Sequence, residues 1–260
     1  MGRCIVVTSG KGGVGKSTIT ATLGMAIAEA GARVTLVDAD VGLNNLDLVL
    51  GIEGAVSYDI TDVEKGRCRL GEALVEHPFN ENLSLLSSRA LGGGALSQKG
   101  FSAVITALRR SADYVMIDCP AGIDEGFHRA VSCADEALIV TTPVPASVRD
   151  ADKVSDLLAA YRLRRVEVVV NRVRGDLVLK GEVLGVGDVM SALRLPVVGS
   201  VPEDDEVLLS ATVGRISDRE SECYRSVCMI ASHVMMGTDM VYDCTRKYRG
   251  LLGFLRRMTR

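Results

Sequence analysis

The segment Ser9-Gly10-Lys11-Gly12-Gly13-Val14-Gly15-Lys16-Ser17-Thr18 concentrates the chemistry of this 260-residue chain. Gly10, Gly15, Lys16 and Ser17 fit GxxxxGK[ST], the spacing of a phosphate-binding loop. Glycines let backbone N–H groups turn inward around phosphate oxygens, and Gly12, Gly13, Val14 and Thr18 supply the rest of that cradle. A helix starting at Lys16 adds N–H donors and a positive dipole end. Lys16 would reach the β- and γ-phosphates, and the Ser17 hydroxyl would ligate Mg²⁺.

Two apolar runs end in carboxylates. Val37-Asp38-Ala39-Asp40 closes one, and Ile117-Asp118-Cys119-Pro120-Ala121-Gly122 closes the other. Acids at the C-terminal ends of parallel strands stand where ligands bind in open α/β sheets. Asp118 follows apolar-leaning residues and would hold a Mg²⁺ water, while Gly122 would let the backbone approach the γ-phosphate. Asp38 and Asp40 are two apart and point the same way, so a cation or water between them would relieve their repulsion. Asp40 is expected to orient an attacking water and Asp38 to contact Mg²⁺ through its shell. The other reading of Asp38 is a loop cap.

These groups need rigid elements to position them. Cys4–Thr8, Arg33–Asp38, Leu83–Ser87, Tyr114–Asp118, Ala137–Thr142, Val166–Asn171 and Val197–Val201 read as strands buried on both faces, being apolar without alternation. Lys16–Ala30, Gly100–Arg110 and Ser147–Leu163 read as helices between them. The alternation predicts an α/β fold, a mostly parallel central sheet with helices on both faces. Gly175–Val189 has no clear pattern. The longest charge-free run, Ser226–Thr238, is too short to span a bilayer. Seven cysteines without a CxxC pair or a leader read as reduced thiols in the cytoplasm. Gly2 does not fit myristoylation, because Val6 stands where Ser or Thr is needed.

The charge is asymmetric. Residues 244–260 hold six Lys and Arg and no acid, whereas the remaining residues are net −9. On a helical wheel Tyr248, Leu251, Leu252, Phe254, Leu255 and Met258 fall on one arc of roughly 160°. Arg246, Arg249, Arg256, Arg257 and Arg260 fall opposite, and Lys247 is misplaced. A basic amphipathic helix of this length lies on an anionic bilayer and does not cross it. Gly250 and Gly253 weaken it, so it is expected to order on lipid. The chain is therefore divided into one domain, 1–243, and a membrane-targeting helix, 244–260.

The string KGGVGKST resembles the deviant Walker A signature of the MinD/ParA family of ATPases. In that family the first lysine of the signature acts across a dimer. The resemblance therefore implies an ATP-bound homodimer in which Lys11 reaches the partner's nucleotide, with ATP/ADP and Mg²⁺ as cofactors. The string DADVGLNNLD is similar to the switch I segment of the MinD branch, and IDCPAGID to its switch II. Residues 147–152 resemble a segment opening a partner-docking helix. Asn171 and Arg172, with Pro202, Glu203 and Asp204, are similar to adenine-contacting positions. The resemblance covers most of residues 1–210. It implies an ATP hydrolase placing the division site, with Lys11, Lys16, Asp40 and Asp118 as catalytic residues. Its partners would be an anionic membrane on the cytoplasmic face, a MinC-like division inhibitor and a MinE-like or other topological factor, with no specific nucleic acid. Hydrolysis would release the paired tails. The alternatives are a flagellar-placement or a chromosome- or plasmid-partition ATPase of the same superfamily. An iron–sulfur carrier would need Cys119 or Cys133 as a ligand, and a scaffold would bind ATP without turnover.

Overall fold

A computed structural model describes residues 1–40, 45–88, 96–120, 122–204 and 219–250. Its eight-stranded sheet contains β1 Arg3–Thr8, β2 Val34–Asp38, β3 Leu74–His77, β4 Asn80–Leu86, β5 Tyr114–Asp118, β6 Glu136–Thr141, β7 Arg165–Val173 and β8 Val197–Pro202, in the spatial order β3-β4-β2-β5-β1-β6-β7-β8. Every neighbouring pair is parallel except β3 and β4. The inner strands β2, β5 and β6 are buried at every residue, as helices on both faces require. The seven expected strands are present within a few residues of their expected bounds, and β3 is an unforeseen antiparallel edge strand.

The helices are α1 Lys16–Glu29, α2 Leu46–Leu50, α3 Ile60–Glu64, α4 Leu70–Ala73, α5 Gln98–Ser111, α6 Glu125–Val131, α7 Pro145–Leu158, α8 Gly175–Lys180, α9 Val186–Leu193 and α10 Glu222–Met236. One core layer joins Phe101, Ile105 and Leu108 of α5, Phe127 of α6, Val154 and Leu158 of α7, and Val189 and Leu193 of α9 to one sheet face. The other joins Ile19, Leu23 and Ile27 of α1 to Val227 and Ile230 of α10. Helix α1 is buried around most of its circumference. It is wedged against the sheet and α10, so its first turn is held rigidly at the sheet edge. The apolar run Ser226–Thr238 thus serves a core helix. Gly175–Val189 forms α8, stopped by Gly181 at φ +72°, and then α9.

Residues just past the expected boundary at 243 pack against the domain. Cys244 is 6 % exposed and Tyr248 4 %, Cys244 Sγ lies 3.1 Å from Ser200 Oγ, and Lys247 pairs with Glu222. Arg246–Tyr248 is a 3₁₀ turn, and Arg249 is extended (φ −88°, ψ 156°). The α-helical wheel therefore fails over its first four residues, and Tyr248 faces the domain core where a membrane face was expected. Arg249 is exposed and lies 3.4 Å from Asp243. Leu251, Leu252, Phe254, Leu255, Arg256, Arg257, Met258 and Arg260 lie outside the described residues. No helix among the described residues is long and apolar enough to cross a membrane.

Candidate functional site

Strand β1 delivers the glycine loop, and α1 begins where the loop ends. Gly13 and Gly15 take φ +81° and +90°, a region that a side chain disfavours. A Cβ on Gly15 would lie 2.3 Å from Asn171 Nδ2, and one on Gly10 would lie 2.2 Å from the Asp150 carbonyl oxygen of α7. The loop is thus clamped between β7 and α7. No side chain caps the start of α1, so its first N–H groups stay available to a ligand. Asn171 donates through Nδ2 to the Val14 carbonyl at 2.8 Å and fixes the crest of the loop.

Asp118 gathers the charged chemistry. It is 1 % exposed and accepts from Lys16 Nζ at 2.7 Å and Thr20 Oγ1 at 3.1 Å on Oδ1, and from Ser17 Oγ at 2.6 Å on Oδ2. Asp38 stands beside it in register on the neighbouring strand. Its oxygens accept backbone N–H groups of Asp40 at 3.0 Å, Asn45 at 3.1 Å and Leu46 at 3.2 Å. Burial first, and then the Asp118 charge, push the Asp38 pKa up to about 7, against the pull of those three donors. Asp38 therefore ties Asp40 to the start of α2, the cap reading, while still facing the site. Asp40 is half-buried, and burial raises its pKa although Lys16 opposes.

A cavity of about 330 Å³ opens over these groups. Ser9, Gly12, Gly13, Gly15, Lys16, Ser17, Thr18, Asp38, Asp40 and Asp118 line it, joined by Asn45, Val49 and Arg172. A Cβ on Gly13 would meet nothing within 4 Å, so the loop leaves room for a bulky anion. The donor set suits Mg²⁺: one hydroxyl and two buried carboxylates, with space for the waters that this cation keeps. Lys11 is exposed, and its carbonyl accepts Ser9 Oγ at 3.1 Å. Gly122 holds φ +102°.

The adenine set is only partly assembled. Arg172, at φ +56°, lines the cavity, and Asn171 holds the loop. Pro202 pairs with Val173, and the Glu203 N–H donates to the Val173 carbonyl at 3.1 Å. Pro202, Glu203 and Asp204 are at the same sheet edge but outside the cavity lining. Sequence reasoning missed Thr20 and Val49; Asn45 lay within the string similar to switch I but was given no role. Thr20 could have been found from its spacing, four residues after Lys16 on the same helix face. Cys119 is fully buried with its pKa pushed up to about 12, the behaviour of an inert core thiol.

The model of the CobQ/CobB/MinD/ParA nucleotide binding domain matches residues 5–215. The septum site-determining protein MinD of Bacillus subtilis is 41% identical over 235 residues, 87% of this chain and 88% of its own. This chain belongs to the MinD family. Among solved structures, MinD in the MinC:MinD complex of Aquifex aeolicus superposes with a TM-score of 0.85 at 37% identity, covering 92% of this chain and 97% of that one. MinD of Pyrococcus horikoshii, complexed with Mg-ADP, gives 0.79 at 28% identity, covering 91% and 97%. The MinD-family fold accounts for the sheet order and for the nucleotide-binding character of the loop.

Proposed function

We propose that this chain is a Mg²⁺-dependent ATP hydrolase that places the division site by cycling on and off the cytoplasmic face of the cell membrane. The observation that carries this reading is the convergence of Lys16 and Ser17 on Asp118 beneath an open glycine loop. The Mg-ADP complex of the Pyrococcus horikoshii relative supports the choice of nucleotide.

In this reading the loop N–H groups bind the phosphates, and Lys16 leaves Asp118 to neutralise them. Ser17, Asp118 and the flanking Asp38 hold Mg²⁺ and its waters. The bound cation supplies charge neutralisation for the β- and γ-phosphate oxygens. Asp40 orients the attacking water. Lys11, exposed at the loop, reaches the nucleotide of a second copy and neutralises charge that develops there, as an arginine finger does. Pairing brings two basic tails together, and two weak lipid anchors bind with avidity where one is marginal. The MinC:MinD complex of Aquifex aeolicus supports a MinC-like inhibitor as the recruited partner. A MinE-like or other topological factor positions the cycle.

Sedimentation with anionic liposomes tests this, with ADP or a nonhydrolysable ATP analogue, for the full chain and a truncation after Gly250. Pelleting only with the analogue, lost on truncation, is expected. Pelleting that ignores nucleotide, or that survives truncation, overturns the membrane switch.

A further inference from the structure

Asp118 Oδ1 has two donors, one for each lone pair. Lys16 Nζ and Thr20 Oγ1 both address it, at 2.7 and 3.1 Å, while Ser17 takes Oδ2. Thr20 Oγ1 also lies 3.0 Å from the Lys16 carbonyl oxygen, one turn back. A hydroxyl has a single proton, so Thr20 can serve only one of these acceptors at a time. The choice is free in this arrangement, because Lys16 already holds Oδ1.

Nucleotide binding ends that freedom. An ammonium on phosphate oxygens cannot keep its 2.7 Å bond to Asp118. Ser17 can offer a lone pair to a cation and still donate its proton to Oδ2. Oδ1 would then lose its charged partner and keep Thr20 as its protein donor, a costly loss in a side chain only 2 % exposed. Thr20 is fully buried and already within reach.

We infer that Thr20 is a positioning residue for nucleotide binding: its hydroxyl, within reach of both the Lys16 carbonyl and Asp118 Oδ1, commits to Oδ1 as Lys16 departs, holding the carboxylate in place. The inference rests on the nucleotide-binding reading of the loop. The methyl group of Thr20 has no part in it.

The test compares the parent with T20V, which keeps the shape, and T20S, which keeps the hydroxyl. ADP and a nonhydrolysable ATP analogue are titrated into the full chain, with Mg²⁺ and with EDTA, and thermal unfolding is followed without nucleotide. T20V should unfold within a few degrees of the parent. It should bind both nucleotides about ten- to a hundredfold more weakly, the range of a hydrogen bond to a charged group. T20S should bind as the parent does. Unchanged binding by T20V overturns the assignment of Thr20 alone. Equal losses in T20V and T20S overturn it too, by placing the effect in the methyl group. If T20V fails to fold, T20A takes its place: weaker binding by a folded T20A, with parental binding by T20S, upholds the hydroxyl role, and parental binding by T20A refutes it. A parent that binds no nucleotide overturns the loop reading and the assignment together.

Discussion

Replacing Asn171 separates two roles that one amide side chain can play. Its Nδ2 spends one N–H on the Val14 carbonyl at 2.8 Å, which leaves one N–H and the carbonyl oxygen for a base edge. As a clamp, Asn171 shapes the loop for any phosphate. As a reader, it distinguishes adenine from other bases. Asn171→Ala strands a carbonyl on a residue that is 5 % exposed, which costs about 1–3 kcal/mol. For a chain of this size about 1.5 kcal/mol lowers Tm by about 3–6 °C. Whatever part of that cost falls on the loop appears in affinity, where 1.4 kcal/mol is about tenfold. The assay is calorimetric titration of ATP, GTP and inorganic triphosphate into the parent and Asn171→Ala, with Tm measured on both. The clamp predicts one common factor, about five- to thirtyfold for about 1–2 kcal/mol, for all three ligands, together with the fall in Tm. A loss confined to ATP, with triphosphate binding and Tm unchanged, would refute the reasoning.

Three other outcomes follow from the same geometry. Asp38 holds its proton up to about pH 7 when folded and releases it near pH 4 when unfolded, so the fold weakens as pH rises through that window, by at most about 4 kcal/mol. Thermal unfolding in EDTA without nucleotide should show Tm falling from pH 4 to 7, and Asp38→Asn should flatten that slope; a slope unaltered by the substitution disproves the assignment. Lys11→Ala should bind nucleotide normally yet hydrolyse ATP about a thousandfold or more slowly, the scale of an arginine-finger loss; parental turnover would remove the trans role. Truncation after Gly250 should leave Tm unchanged, whereas Tyr248→Ala should cost about 3–5 kcal/mol by emptying a buried aromatic site; equal Tm values for the two would mean that Tyr248 is not part of the core.

The glycine loop and the inner strands were legible because each is a local pattern. GxxxxGK[ST] is contiguous, and a strand buried on both faces announces itself by unbroken apolar residues, as in Tyr114–Asp118. Strand β3 was not legible. Leu74-Val75-Glu76-His77 is four residues with no alternation, and it exists because the chain turns back along β4. The Asn171 clamp joins residues 157 positions apart, a pairing that no spacing rule reaches.

Tyr248 marks a different limit. The wheel over residues 246–260 identifies an apolar arc, and an apolar arc says that a face is buried without saying against what. Lipid and the chain's own core satisfy it equally well. What separates them is continuity of the helix. A 3₁₀ turn advances 120° per residue where an α-helix advances 100°, and an extended residue at Arg249 breaks the phase altogether. The helical phase assumed by the wheel therefore does not run through Tyr248, and its burial carries no information about the residues that follow. The case for a lipid-bound tail must rest on residues 251–260 alone, which combine Leu251, Leu252, Phe254, Leu255 and Met258 with Arg256, Arg257 and Arg260. On the proposed reading, that shorter segment would anchor more weakly than residues 246–260, so the proposed switch would depend more on pairing two tails.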